Sequence, residues 1–283
     1  MDHQNGVVLA YETFAAPEGH PRAAFLFLHG ILGRGRNWRS LAQRFAEERP
    51  EWLAVTVDLR AHGDSLGLPP PHTVATAAAD LGGLALNAPV RGVLGHSFGG
   101  KVALAFAEQR RSVGRPLTST WVIDSTPSAR PDRRGSEAVA QVLEVLGDMP
   151  ERFSDRRAFV SAATERGLAR PIAQWLAMNL RSVEGGYVYG VEMDVVDAML
   201  EDYFALDLWP IVAAGGVQLV LGGKSSVFDD GDRDRAETLA REGAAGLHVI
   251  EDAGHWVHAD APGELSELLR EQVPPAAAGD RST

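Results

Sequence analysis

Val90-Arg91-Gly92-Val93-Leu94-Gly95-His96-Ser97-Phe98-Gly99-Gly100-Lys101-Val102-Ala103-Leu104 is the stretch whose reading decides the fold. Val90–Leu94 is a short, branched, apolar run of the kind that forms a buried strand. From Phe98 to Arg110 the spacing turns helical. Between the two, Gly95–Gly99 match G-x-S-x-G. A serine held at such a strand-to-helix turn must adopt a strained backbone with little bulk beside it, and flanking glycines supply that room. The helix that follows aims its positive end at the site. The pattern alone is weak, because the chain carries a second match, Gly63-Asp64-Ser65-Leu66-Gly67. That copy follows a polar loop and runs into Leu68-Pro69-Pro70-Pro71, which cannot be a helix. Context therefore selects Ser97 as the candidate nucleophile and reads Ser65 as a turn residue.

Working outward, further short apolar runs read as strands: Val7–Phe14, Ala23–Leu28, Trp52–Val57, Thr120–Ile123, Val217–Leu221 and Leu247–Ile250. Helical spacing lies between them at Trp38–Glu48, Thr73–Leu86, Asp232–Arg241 and Pro262–Glu271. Strands alternating with helices imply parallel pairing through right-handed crossovers. The expected fold class is α/β, one open and mostly parallel sheet with helices on both faces. From about Arg130 to Pro210 the alternation stops. Four helical patterns (Ser136–Leu146, Asp155–Glu165, Pro171–Leu180, Asp194–Phe204) and a short Tyr187-Val188-Tyr189 run read as a helical insertion between two sheet strands. The expected division is a core of residues 1–129 and 211–273, a cap of residues 130–210, and a disordered tail at 274–283, which is rich in Pro, Ala and Gly.

Composition narrows the function. The chain has 283 residues, 45% hydrophobic and 23% charged, with a formal net charge of -11. With no basic cluster, nucleic acid and anionic membrane surfaces are not expected partners. The cysteine count is 0, which removes disulfides, a cysteine nucleophile and thiolate metal sites, and suits a reducing compartment. The polar stretch Met1–Gly6 does not resemble a signal peptide, and no apolar stretch is long enough to span a bilayer. A cytoplasmic location is expected, with no membrane insertion; oligomeric state is not readable.

A serine nucleophile needs a base. Downstream lie His248, His255 and His258. His248 sits inside the run Leu247–Ile250 and points into a sheet face, while His258 reads as the approach to a helix start. His255 follows the last strand on a loop that Gly254 frees to turn, and it is the candidate base. An oxyanion needs two backbone N–H donors. Phe98, next after the nucleophile, supplies one candidate; Ile31, in His29-Gly30-Ile31-Leu32-Gly33 after the strand Ala23–Leu28, supplies the other.

Together these residues resemble the α/β-hydrolase superfamily. The resemblance runs through His29-Gly30, Asp58-Leu59-Arg60-Ala61-His62-Gly63-Asp64-Ser65, Gly95–Gly99 and Gly254-His255. Leu94–Lys101 and Ala253–Ala259 are similar to small YbfF-type carboxylesterases. The resemblance implies that Arg130–Pro210 is a cap over the site. The usual family acid follows the strand after the cap, but Ser225 stands where that carboxylate belongs, and a serine cannot balance an imidazolium by charge. Some members, YbfF-type esterases among them, carry the acid one strand after the nucleophile's, which here is Asp124. Asp124 is the favoured acid, with Asp229 and Asp230 as alternatives. The implied activity is cleavage of small carboxylic esters through an acyl-enzyme, with no cofactor or metal and a small-molecule ester as the partner. Thioester, C–C or peroxide chemistry on the same triad, or ligand binding on a hydrolase scaffold, remain open alternatives. In the cap, Trp175, Tyr187, Tyr189, Tyr203 and Trp209 read as core rather than pocket wall, and a short lid predicts a preference for compact acyl groups.

Overall fold

A computed structural model of the chain describes residues 9–133, 137–191 and 193–276. Among the described residues, seven strands form one sheet in the order β1-β3-β2-β4-β5-β8-β9. They are β1 (Tyr11–Phe14), β2 (Ala23–Leu28), β3 (Trp52–Val57), β4 (Val90–His96), β5 (Ser119–Ile123), β8 (Val217–Gly222) and β9 (Ala245–Ile250). Every pairing is parallel except β1 with β3. The start of the expected first strand, at Val7, lies outside the described residues.

Alternation along the strands shows why both faces carry helices. Phe25 and Phe27 of β2 pack with α1 (Arg39–Glu48) and α11 (Pro262–Gln272), through Leu41, Phe45, Leu265 and Leu269. Leu26 and Leu28 point the other way, into a core built with α2 (Val74–Asp80) and α3 (Phe98–Ser112). A strand apolar at every position can serve two cores at once. At roughly 25 cal/mol per Å² of apolar surface buried, each fully covered Leu or Phe contributes about 1.5–3 kcal/mol. The helical pattern expected over Thr73–Leu86 ends early: α2 stops at Asp80 and tightens into a 3-10 turn over Leu81–Gly83. The Gly82-Gly83 pair weakens a helix at that point.

Between β5 and β8 the chain builds α4 (Glu137–Gly147), α5 (Arg156–Glu165), α6 (Arg170–Leu176), α7 (Met193–Ala205) and α8 (Trp209–Ala213). The Tyr187-Val188-Tyr189 run belongs to β7 (Gly186–Tyr189), which pairs antiparallel with β6 (Leu180–Val183) in a separate hairpin. Ser136, the expected start of α4, lies outside the described residues. Lys101 of α3 ties this insertion to the core. Its Nζ donates to Ser128 O, Tyr203 O and Leu206 O at 2.7–2.8 Å. The first residues of the expected tail are packed: Trp52 Nε1 donates to Pro274 O at 3.3 Å and Ala276 is buried. Residues 277–283 lie outside the described range. Beyond β9, α9 (Asp230–Arg241) having preceded it, the short α10 (Val257–Asp260) leads into α11. Among the described residues, no helix is long and apolar enough to cross a membrane.

Candidate active site

The sheet order reverses between β2 and β4, and in such sheets ligands bind in the crevice beyond the strand ends at that point. Ser97 sits there, between β4 and α3, with φ 53° and ψ -121°. A non-glycine residue in that region stores of order 1–3 kcal/mol, so the surrounding backbone must hold it. Ser97 N donates to Ile123 O at 3.1 Å and Gly100 N to Ser97 O at 2.8 Å. The glycines make the turn possible in a specific way. A Cβ on Gly95 would lie 1.9 Å from Gly99 O, and one on Gly99 would lie 2.5 Å from His29 O. The pair therefore lets α3 start against both its own strand and the end of β2. Ser97 is partly exposed; Ser65 is 2% exposed. Ser65 Oγ donates to Asp58 O at 2.7 Å and accepts from Ala10 N at 2.8 Å. That hydroxyl holds a turn together and faces no crevice.

Close backbone approach also brings the loop after β2 to Ser97. A Cβ on Gly30 would sit 3.2 Å from Ser97 Cβ. Ile31 and Leu32 follow, and Leu32 takes a left-handed φ of 61°. Two histidines lock this loop. His62 Nε2 accepts from Leu32 N at 3.0 Å, and His29 Nε2 accepts from Leu59 N at 2.9 Å. Each ring's Nδ1 donates to a backbone oxygen, Arg60 O and Gly30 O respectively. Burial pushes both imidazoles below their ordinary pKa, so they are neutral acceptors. Asn179 secures the loop from the insertion between β5 and β8, its Nδ2 donating to Leu32 O at 2.6 Å. Phe98 is the first residue of α3, where a backbone N–H has no intrahelical acceptor.

His255 lies on the loop after β9, and its Nδ1 donates to Asp124 Oδ2 at 2.7 Å. Asp124 is 1% exposed, at the end of β5, with φ 43°. Its carboxylate also accepts from Gly222 N at 3.0 Å and from Ser225 Oγ at 2.6 Å. Ser225, where the resemblance would place the usual acid, therefore donates to the Asp124 carboxylate. Asp229 is occupied elsewhere: it caps α9, accepting from Asp232 N at 2.9 Å, and pairs with Arg130 at 3.3 Å. Asp230 is the first residue of that helix.

Ser97, His255, Ile31, His96 and His258 line one cavity of about 30 Å³, together with Val139, Val142 and Trp175 of the insertion between β5 and β8. Trp175 is thus pocket wall, while Tyr189 stacks on Phe159 at 5.7 Å inside the cap and Tyr203 and Trp209 are buried. Two residues escaped the sequence reading. His96, the variable position of the motif, donates from Nε2 to His255 O at 2.7 Å and so anchors the loop that carries His255. Burial, then the nearby His255, holds His96 well below its ordinary pKa. His258, read as a helix approach, packs its ring 4.6 Å from Trp38 and forms cavity wall; burial, then His255, pushes it down to about 4. No local pattern marks either role, because both depend on β4 and the β9 loop converging.

An open parallel sheet with a strained serine between strand and helix, at the sheet's reversal point, defines the architectural class of the hydrolase-type α/β folds. A family model described as "Alpha/beta hydrolase family" matches residues 25–268. The chain belongs to the alpha/beta hydrolase family. It is 30% identical over 248 residues to the sn-1-specific diacylglycerol lipase ABHD11 of Danio rerio, covering 84% of this chain and 74% of that protein. It is 26% identical over 266 residues to the 2-succinyl-6-hydroxy-2,4-cyclohexadiene-1-carboxylate synthase of Serratia proteamaculans, covering 88% of this chain and 92% of that one. Among solved structures, a marine microorganism esterase superposes with a TM-score of 0.76 at 20% identity, covering 92% of this chain and 97% of its own.

Proposed function

We propose that the protein is a serine-dependent hydrolase of small carboxylic esters, with Ser97 as nucleophile, His255 as general base and acid, and Asp124 as the group that orients His255. The observation that carries this reading is the 2.7 Å bond from His255 Nδ1 to Asp124, on a ring that shares a cavity with Ser97. With Nδ1 committed, Nε2 is the nitrogen left for proton transfer. In the proposed cycle His255 takes the Ser97 proton as Oγ attacks the ester carbonyl. The N–H groups of Ile31 and Phe98 hold the developing oxyanion. The ester C–O bond then breaks, His255 protonates the departing alkoxide, and water repeats the sequence on the acyl-enzyme. The chemistry asks for no metal or organic cofactor. The partner in this reading is a small-molecule ester, and a chain whose cysteine count is 0 suits a reducing setting such as the cytoplasm. A lipase among the relatives supports ester cleavage, whereas the synthase of Serratia proteamaculans is a reminder that this scaffold hosts other reactions.

The test is direct. A fluorophosphonate should label the wild-type chain at Ser97, and a generic activated ester should be turned over by wild type but not by Ser97→Ala. A folded chain that does neither is a binding protein on a hydrolase scaffold, and the proposal falls.

A further inference from the structure

Three successive residues at the end of β5 bond to three different parts of the molecule. Ile123 O accepts from Ser97 N at 3.1 Å. Asp124 Oδ2 accepts from His255 Nδ1 at 2.7 Å. Ser125 Oγ lies 3.2 Å from Tyr203 Oη and shares a hydrogen bond with it. Tyr203 belongs to α7 of the insertion, 78 positions further along the chain. Asp124 keeps a left-handed φ of 43°, which a non-glycine residue does only where its surroundings enforce it. On one side the turn is held by Asp124 N, which donates to Val220 O at 2.7 Å. On the other side Ser125 is buried against α3, where a Cβ on Gly100 would lie 2.5 Å from Ser125 Cβ.

Tyr203 is itself fixed, and by the helix that follows the nucleophile. Its ring packs against Phe98, centroids 6.0 Å apart. Lys101 Nζ donates to Tyr203 O at 2.7 Å and lies 4.5 Å from the centroid of its ring. Phe98 and Lys101 both belong to α3. Burial, above all, pushes the phenol up to about 12, so the hydroxyl keeps its proton throughout the neutral range.

Resting on the serine-hydrolase reading, we infer that Tyr203 is a positioning residue: its hydroxyl holds Ser125, and through Ser125 the strained turn that presents Asp124 to His255. The insertion then takes part in orienting the base as well as lining the cavity. Asp124 matters most when His255 carries the transferred proton. A slackened turn therefore weakens both half-reactions alike, so kcat and kcat/KM fall together and KM stays where it was.

The experiment is a double-mutant cycle with p-nitrophenyl acetate as the probe. Tyr203→Phe keeps the ring and its packing and removes the hydroxyl; Ser125→Ala removes the other end of the bond. Each should lower kcat about two- to ten-fold, the span of one hydrogen bond, at unchanged KM. The double variant should be no slower than the slower single one, because both changes delete the same bond, whereas independent effects multiply. The proton resonance of His255 Nδ1–H, read by NMR without substrate, should shift in both single variants. A folded Tyr203→Phe with wild-type kcat overturns the inference even if its melting temperature falls, since that is a structural role alone. Effects that multiply, or a raised KM at constant kcat, overturn it too. If Tyr203→Phe does not fold, Ser125→Ala decides: an unchanged kcat with an unmoved resonance overturns the inference. Wild type that is labelled by a fluorophosphonate and active confines any such failure to Tyr203; wild type that is neither overturns the serine-hydrolase reading and this inference with it.

Discussion

Two serines in near-identical motifs have different surroundings, and one hydroxyl is used up by the fold. Ser65 Oγ bridges Asp58 O and Ala10 N. Ser65→Ala should cost about 1–3 kcal/mol of stability by leaving buried partners unsatisfied, with kcat/KM nearly unchanged. Ser97→Ala should do the reverse, keeping the melting temperature and lowering ester turnover by several orders of magnitude. Thermal melts beside steady-state kinetics separate the two; a well-folded Ser65→Ala without activity would invert the assignment. Around Asp124 the expectations are graded. Asp124→Asn keeps the size but not the charge, so turnover should fall strongly. Ser225→Ala removes one of three donors to the carboxylate. A hydrogen bond of about 0.5–1.5 kcal/mol corresponds to roughly a two- to ten-fold loss in kcat. Ser225→Ala kinetics indistinguishable from wild type would show that this bond does not support the base, whereas Asp230→Asn should leave kcat alone.

At the scale of elements, the turn between β4 and α3 leaves no room for a side chain at Gly95 or Gly99. The atom that a Gly95 Cβ would meet at 1.9 Å is a backbone oxygen of α3 itself, which no side-chain rotation can clear. Gly95→Ala should therefore shift α3 off the strand and cost more than about 3 kcal/mol, the range of backbone clashes rather than surface changes. Gly82 offers the control, since a Cβ there meets nothing within 4 Å. Gly82→Ala should change the denaturation midpoint little. Equal effects from the two variants would remove the steric account of the turn. The insertion is held to this same helix by Lys101, whose ammonium spends its three protons on carbonyls from both sides of the joint.

Over the whole molecule the clearest expectation concerns acid. Burial lowers His29, His62, His96, His248 and His258 below the ordinary imidazole value. The folded chain keeps these rings neutral while the unfolded chain takes up protons as pH falls through about 6.5. Their contribution to stability is therefore full above that pH and is lost progressively below it, down toward pH 4 for His258. Each such group contributes a slope of up to about 1.4 kcal/mol per pH unit. Urea midpoints measured from pH 7.5 to 5 should fall steeply, and His29→Gln should flatten the curve by about one proton. A midpoint independent of pH across that range would contradict the neutral-histidine account of the loop after β2.

What the sequence determined by itself was local. Runs such as Ala23–Leu28 and Trp52–Val57 coincide with β2 and β3 residue for residue, because burial on both faces demands unbroken apolar stretches wherever the strand goes. The glycine spacing around Ser97 was legible for the same reason, since its clashes involve residues within a few positions or the next strand. Other features were not legible because they join distant stretches of chain. Asp124 and His255 are 131 positions apart, and Asp124 and Ser225 are 101 apart. Three carboxylates stood open in the sequence. Only the pairing of β5 with β8, and of β8 with β9, sets one of them against the imidazole while Asp229 turns to cap α9. The roles of His96, Ser225 and His258 were decided there as well: a side chain's partner across a sheet depends on strand order and loop convergence, which no window of neighbouring residues encodes.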